Sequence, residues 1–322
     1  MLAPNVVKML LDAKCMLDNG VGTFSSLHPH NKDLRDAEQS TRLRQHLLDT
    51  LYAYWYCGSL KKRLPPTQDH DLAERYRAAH AGTYCWEADW LVTNVSSRGR
   101  LKVERGCEMR IVQTIDCLHA DRPGHLPSPG DTVMVVERRD SETMNPGDWV
   151  MFSESWPQTT RPLVRIYWNA SPKAAVQLVH ELSRQANKEL PYLLKCPRKS
   201  SEFIRFDSAV LYFPCDEFTH WIPVLNSVYS IVSSDLQADT PPMTLCLRDG
   251  LALAEDPPQR HFSFGLSRCA LLVDAYLDAG AEVTTENEQK WLQRVKTQLS
   301  AQGIPCDRTY VNTAGSPDYA LP

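Results

Sequence analysis

The sequence predicts an α+β fold, a helical N-terminal region followed by a sheet domain with flanking helices, and three observations support it. Residues 1–85 carry apolar side chains at helical spacing. Residues 84–152 break into short apolar runs separated by turn clusters, and beyond residue 160 helices and strands mix without a repeating strand–helix rhythm. The chain of 322 residues therefore divides into a helical region, 1–85, suited to docking a peptide or partner, and a larger α+β domain, 86–322.

The clearest early helix is T-R-L-R-Q-H-L-L-D-T-L-Y-A-Y-W-Y-C-G, where Leu43, Leu47, Leu51, Tyr54 and Trp55 recur on one face and Gly58 acts as the stop. That aromatic stripe reads as core packing. Pro65 and Pro66 then end the helical pattern. The runs W-L-V-T-N-V, R-I-V-Q-T-I and V-M-V-V-E read as strands, with N-P-G-D among the turn clusters between them. Over 163–168, alternation puts Arg165 and Tyr167 on one strand face and Val164, Ile166 and Trp168 on the other. Ser171 followed by Pro172 is a helix start, and Ala175, Leu178, Val179, Leu182 and Ala186 give that helix its apolar stripe. Strands P-Y-L-L-K and D-S-A-V-L-Y-F follow, then helices G-L-S-R-C-A-L-L-V-D-A-Y-L-D-A-G and T-T-E-N-E-Q-K-W-L-Q-R-V-K-T-Q-L-S-A-Q-G-I.

Composition removes several function classes. A formal net charge of -4 offers no basic footprint for nucleic acid, and no Lys/Arg cluster alternates with aromatics as a stacking platform. No apolar run reaches the roughly 20 residues of a spanning helix, and the opening M-L-A-P-N-V-V-K-M-L-L lacks a signal-peptide cleavage region, so the expectation is a cytoplasmic protein. The 10 cysteines show no C-x-x-C and no zinc spacing, and read as reduced, mostly buried apolar residues. His28 to His30, in a Ser/Asn/Asp setting, reads as loop, and no metal site is expected. There is no G-x-x-x-x-G-K-[ST], no G-x-G-x-x-G and no G-x-S-x-G, which takes away the simplest evidence for nucleotide hydrolysis, dinucleotide redox chemistry and serine hydrolysis.

What remains is a set of charges in apolar settings: Arg165 within a strand, Lys195 at a strand end, Arg205 and Asp207 before an apolar run, and Arg268 within F-G-L-S-R-C. Such cations either snorkel to water or are kept for an anion.

From Arg165 to Phe213, through P-P-M-T-L-C-L-R-D-G-L-A-L-A-E and on to D-R-T-Y-V-N, the chain resembles the Hop A-type type III effector family. The elements carrying the resemblance are R-x-D-S-A-V-L-Y at 205–212, G-L-A-L-A-E at 250–255 and F-G-x-x-R at 264–268, within a span of roughly residues 85 to 312. Relatives also occur in bacterial peptide-modification clusters, where they act as lyases. They remove phosphate from phosphoserine or phosphothreonine of a precursor peptide and leave dehydroalanine or dehydrobutyrine, as in lanthipeptide and thioamitide biosynthesis. The resemblance thus implies a mixed, largely antiparallel sheet domain of phosphothreonine-lyase-like type over 86–322 and a β-eliminating carbon–oxygen lyase. It further implies a phosphorylated precursor peptide as substrate, a kinase resembling aminoglycoside phosphotransferases as partner, and no cofactor.

A more distant resemblance is to the secreted phosphothreonine lyases, whose K-x-H strand, second strand with lysine, arginine and L-Y strand correspond here to Arg165 and Tyr167, Lys195, Arg205, and Leu211 with Tyr212. β-Elimination needs a base at the Cα proton, a cradle for the phosphate dianion and an acid for the bridging oxygen. Lys195 fits the base, provided that burial and neighbouring cations lower its pKa. Arg165, Arg205 and Arg268, joined by Tyr212, are the phosphate-binding candidates, and Asp207 orients one of the cations, a duty Glu255 can share. With Tyr167 where the distant lyases have histidine, the acid is Tyr167 or His261. Arg205 and Tyr212 are seven positions apart and fall on opposite faces of a regular strand, so their convergence requires a bulge or a strand that begins after Arg205. Two readings compete with the biosynthetic lyase: a non-catalytic phosphopeptide-docking subunit of a kinase complex, and a translocated effector acting on host phosphoproteins.

Overall fold

The computed structural model describes residues 4–27, 36–59, 69–122, 124–156, 161–186, 190–258, 263–279 and 285–322; His28 to His30 and His261 lie outside them. The N-terminal helices α1 (Pro4–Leu27) and α2 (Asp36–Thr50) lead into a wider π-helical turn, Leu51–Tyr56, and then into α3 (Ala73–Ala79). Next come β1 (Tyr84–Val95), β2 (Arg100–Arg105), β3 (Glu108–Gln113), β4 (Cys117–His119) and β5 (Thr132–Arg138). These five form one small sheet in the order β3-β2-β1-β5-β4, packed about its own core of Trp90, Val92, Leu101, Val103, Val133 and Val135.

The second sheet is built from β6 (Asp140–Ser141), β7 (Asp148–Phe152), β8 (Leu163–Trp168), β9 (Leu193–Pro197), β10 (Ala209–Pro214), β11 (Leu245–Arg248) and β12 (Leu251–Glu255), in the order β11-β12-β8-β10-β9-β7-β6. Helix α4 (Pro172–Gln185) joins β8 to β9, and α5 (Phe218–Val232) follows β10, while α6 (Phe264–Ala279) and α7 (Thr285–Ala301) close the fold. The fold is α+β. The largely antiparallel character expected of the sheet holds, but in place of one mixed sheet there are two, and every strand pair among the described residues is antiparallel. Antiparallel ladders leave each sheet free to give its two faces different jobs.

In the seven-stranded sheet that division is sharp. Val164, Ile166 and Trp168 of β8 share a face with Leu194 and Cys196 of β9 and Leu211 and Phe213 of β10, and all are buried under α3, α4 and α5. Helix α4 forms as its sequence dictates: the Ser171 hydroxyl accepts from the Ala174 N–H at 3.1 Å, Pro172 occupies the first turn, and Leu178, Val179 and Leu182 face the sheet.

The opposite face meets the helices from the two ends of the chain. Tyr167, Val210, Ala252 and Ala254 pack with Leu10, Leu47 and Leu51 from the N-terminal helices and with Leu272, Trp291 and Val295 of α6 and α7. The helical segment before residue 85 therefore shares one core with the C-terminal helices. No described helix is long and apolar enough to cross a membrane. The ten cysteines are free, and only Cys57, Cys117, Cys196 and Cys269 are buried, so the expectation that most are core residues is corrected.

Candidate functional site

Where the helices stop covering that second face, the sheet lines a cleft. Register places it: Tyr212 of β10 lies opposite Arg165 of β8, and Val210 lies between Tyr167 of β8 and Lys195 of β9. Partners across an antiparallel ladder point the same way, so Arg165, Tyr167, Lys195 and Tyr212 emerge together. Arg205 and Asp207 reach the same place from the loop before β10, which begins only at Ala209. The strand parity that separates Arg205 from Tyr212 thus does not apply to Arg205.

That loop is held at both ends. Ser208 accepts from the Ala170 N–H at 2.9 Å and donates to Trp168 and Ala170 carbonyls, anchoring it on the end of β8. Phe206 is buried, its N–H donates to the Cys57 carbonyl at 2.9 Å, and its ring covers Gly58. Gly58 has φ +69, and a Cβ there would meet the Phe206 ring at 2.1 Å, so this helix stop doubles as the docking point for the loop. The π-helical turn in this way delivers Tyr52 and Tyr56, four residues apart and on one face, to the cleft.

The result is a cavity of about 220 Å³ lined by Tyr52, Tyr56, Asn145, Arg165, Tyr167, Lys195, Arg205, Asp207, Val210, Tyr212, Ser263 and Gly265. A second cavity of about 410 Å³, with Pro146 to Asp148, Ser201, Glu202 and Ile204 in its walls, shares Lys195, Arg205 and Asp207 with the first. Together they make a cleft with its cations at the waist. A larger cavity, about 750 Å³, lies away from it between α2, α6 and the end of α7. Its Arg44 and Asp274 are paired with each other at 2.6 Å, and it lacks the cleft's convergence of cations and hydroxyls.

Each cation in the cleft has a carboxylate. Arg205 donates from Nε and Nη2 to the two oxygens of Asp207, both at 2.8 Å, and from Nη2 to the Tyr52 hydroxyl at 3.0 Å. Burial opposes ionisation of Asp207, but the Arg205 guanidinium and the Lys195 ammonium outweigh it and hold the carboxyl below its ordinary value. Arg165 donates from Nε to Asp256 at 2.5 Å, and its guanidinium lies 5.1 Å from the centre of the Tyr212 ring. Lys195 Nζ is 3.3 Å from Asp148 Oδ2, which also receives the Asn145 side-chain amide.

For Lys195 the expectation of a lowered pKa is corrected. Burial pushes it down, but Tyr212, Asp148 and Asp207 push it up and win, so the group rests as an ammonium with its pKa above the ordinary 10.5. Two hydroxyls in the cavity are left over. Those of Tyr167 and Tyr56 are buried beside each other and make no hydrogen bond of good geometry among the described residues. An unsatisfied buried hydroxyl costs about 1–3 kcal/mol. Burial raises the pKa of both, keeping them protonated.

Arg268 is placed elsewhere. It is 2% exposed, and its Nε and Nη2 donate to the Thr309 and Val311 carbonyls, each at 3.0 Å, with Asn312 Oδ1 3.4 Å away. It has no ion pair among the described residues, and burial draws its pKa down to about 10. The expectation that it belongs to a phosphate cradle is therefore corrected. F-G-x-x-R and D-R-T-Y-V-N are two halves of one contact that ties the C-terminal segment to α6. Glu255 belongs to the same structural system, buried and accepting from Asn312 N–H, Ser316 and Tyr319. Gly265 of the motif does serve the cleft, because a Cβ there would sit 2.3 Å from the Tyr56 ring.

The sequence reading missed Tyr52, Tyr56, Asn145, Asp148 and Asp256. The 52/56 spacing was a usable signal, hidden inside an aromatic stripe that also fills the core with Leu47, Leu51 and Trp55. Asn145 and Asp148 were legible only as a turn. No group of three or more His, Cys, Asp or Glu able to hold a metal occurs among the described residues.

A family model described as the HopA1 effector protein family matches residues 139–311, more than half of the chain, and the chain belongs to that family. The matched span holds Arg165, Tyr167, Lys195, Arg205, Asp207, Tyr212 and Arg268 and excludes Tyr52 and Tyr56. Two solved structures are similar. One is the effector protein from Pseudomonas syringae pv. tomato strain DC3000, at 13% identity and TM-score 0.49, covering 93% of this chain and 99% of that one. The other is the effector protein from Pseudomonas syringae pv. syringae strain 61, at 12% identity and TM-score 0.45, covering 97% and 100%. A comparison with curated protein sequences finds no match.

Proposed function

We propose that this HopA1-family chain is a phospholyase that eliminates phosphate from phosphoserine or phosphothreonine of a peptide, giving dehydroalanine or dehydrobutyrine. The observation carrying this reading is the convergence of Arg165, Lys195 and Arg205 from separate strands and a loop onto one small cavity that also holds two buried hydroxyls. Arg165 and Arg205 bind the phosphate dianion with their planar forks, oriented by Asp256 and Asp207, and Tyr212 backs the Arg165 guanidinium. Neutral Lys195 takes the Cα proton, and the C–H electron pair becomes the new C=C bond. As the Cβ–O bond breaks, Tyr167 donates its proton to the departing oxygen, so hydrogen phosphate leaves. The proton gained by Lys195 and the one lost by Tyr167 balance through solvent. No cofactor takes part in these steps.

The substrate is the phosphorylated precursor peptide of a ribosomal biosynthetic pathway, supplied by an aminoglycoside-phosphotransferase-like kinase that the helical segment 1–85 helps to dock. Host phosphoproteins are the substrate if the chain works as a translocated effector. The cleft's second cavity, on the far side of Lys195, gives the flanking residues of either substrate a place to lie.

One observation favours a second reading, a phosphopeptide-docking subunit without turnover: Lys195 rests as an ammonium, which suits binding and delays base catalysis. Mass spectrometry of a phosphorylated candidate peptide incubated with the purified protein decides between them. The lyase reading expects loss of the phosphate together with the Cα proton. A phosphopeptide that binds and persists unchanged sinks it.

A further inference from the structure

Tyr56 is not used by the chemistry above, yet it is the most conspicuously unspent group in the cleft. Its side chain is 1% exposed and belongs to the lining of the cavity that holds Arg165, Lys195 and Arg205, and its hydroxyl, beside that of Tyr167, makes no hydrogen bond of good geometry among the described residues. Three features hold it there. The π-helical turn sets its position, its ring stacks on Tyr52 with centroids 5.6 Å apart and planes at 10°, and Gly265 leaves room that any side chain would fill. Tyr52 is in turn bonded to Arg205, so the aromatic pair is tied to the proposed phosphate clamp.

A buried hydroxyl without a partner needs an explanation. Core packing gives none, because a phenylalanine would fill the same space without the polar atom. Beside it, the Tyr167 hydroxyl is in the same condition. The two hydroxyls lie beside each other in the wall of a cavity lined by cations, and because only one of them can donate to the other, the pair keeps a donor for an oxygen of an anion.

We infer that Tyr56 is a second substrate-binding hydroxyl, which together with Tyr167 donates hydrogen bonds to the phosphate-ester oxygens in the cleft. This rests on the phosphate-ester reading of the site but not on turnover, since a binding subunit would use the same donors. It also gives the N-terminal helices a part in the site, from outside the span that the family model matches.

The test is Tyr56→Phe, measured by isothermal titration with a phosphoserine peptide and with its unphosphorylated form, beside Tyr54→Phe as a control on the exposed side of the same turn. Tyr56→Phe is expected to weaken phosphopeptide binding by about 5- to 20-fold, while the unphosphorylated peptide and Tyr54→Phe are unaffected. The melting temperature of Tyr56→Phe should be equal to or above that of the parent, because an unsatisfied polar atom has been removed. A hydroxyl with a merely structural duty would give the reverse pattern, lower melting and unchanged affinity, and that result overturns the inference. Equal affinity with unchanged melting overturns it too. If the parent binds the phosphopeptide without converting it, the lyase reading fails while the Tyr56→Phe affinity still decides this one. If the parent shows no preference for the phosphorylated peptide, both fail.

Discussion

The two faces of the seven-stranded sheet are made from the same strands, often from adjacent residues, and they solve opposite problems. On one face Ile166, Leu194 and Leu211 are fully buried among α3, α4 and α5, where burial of apolar surface is itself the stabilising term. One residue along the chain, Arg165, Lys195 and Tyr212 point the other way into the cleft. There, each cation has been given a carboxylate: Arg165 has Asp256 after β12, Lys195 has Asp148 at the start of β7, and Arg205 has Asp207 from its own loop before β10. The contrast teaches that the cleft is stable before any ligand arrives, because its charges are already compensated. An incoming phosphate must therefore compete with carboxylates for the same donors, and geometry rather than bare charge has to favour it.

Substitutions on the two faces should accordingly separate chemistry from stability. The largest effect expected is from Lys195→Ala, which should lower elimination by about 1000-fold or more while leaving thermal melting within a few degrees and phosphopeptide binding measurable. Retained turnover would remove Lys195 as the base. On the apolar face, Leu211→Ala should cost about 3–4 kcal/mol in chemical denaturation, with little change in phosphopeptide affinity in the folded fraction. Were Lys195→Ala to destabilise as much as Leu211→Ala, the division between the faces would collapse.

Asp207→Asn probes the compensated charges. It should cost about 2 kcal/mol at pH 7, less than a fully buried pair because Arg205 is 37% exposed. The Asp207 pKa is lowered on folding, so its contribution is present above the ordinary value of 3.8 and disappears as the pH falls through the folded pKa. Melting curves of parent and variant should begin to approach each other below pH 3.8 and converge only once the pH has fallen past the lowered folded pKa. A gap that persists there would mean that the loop, not the charge pair, carries the effect.

The smallest effect is the pH dependence of elimination itself. With the Lys195 pKa raised above 10.5, the neutral base grows about tenfold per pH unit across the whole accessible range. The rate should still be climbing at pH 9. A plateau near neutrality would assign the base to another group.

Much of this was legible from local patterns. Alternation over 163–168 separated Arg165 and Tyr167 from Val164, Ile166 and Trp168, and the Ser171–Pro172 start and the apolar stripe of α4 follow from helix capping and period. Those features depend on near neighbours in sequence, which the chain states outright. The rest required distant segments to meet. Arg268 reads like a phosphate ligand in its motif and is a clamp on residues 309–311, because nothing local says which backbone carbonyls will arrive.

By itself, then, the amino-acid sequence determined the α+β class, the strands and helices of the second half and the cations that stand in apolar company, since these rest on periodicity, capping and charge. Only the tertiary structure decided that Arg205 precedes its strand and so joins Arg165 and Lys195, that Tyr52 and Tyr56 cross from the N-terminal helices to meet them, and that Asp148 and Asp207 keep Lys195 protonated. The physical reason is common to all three. A pKa, a cavity and a shared face are properties of groups brought within a few ångströms of one another, and in this chain such groups lie as far apart as Tyr52 and Arg205, 153 residues along the sequence.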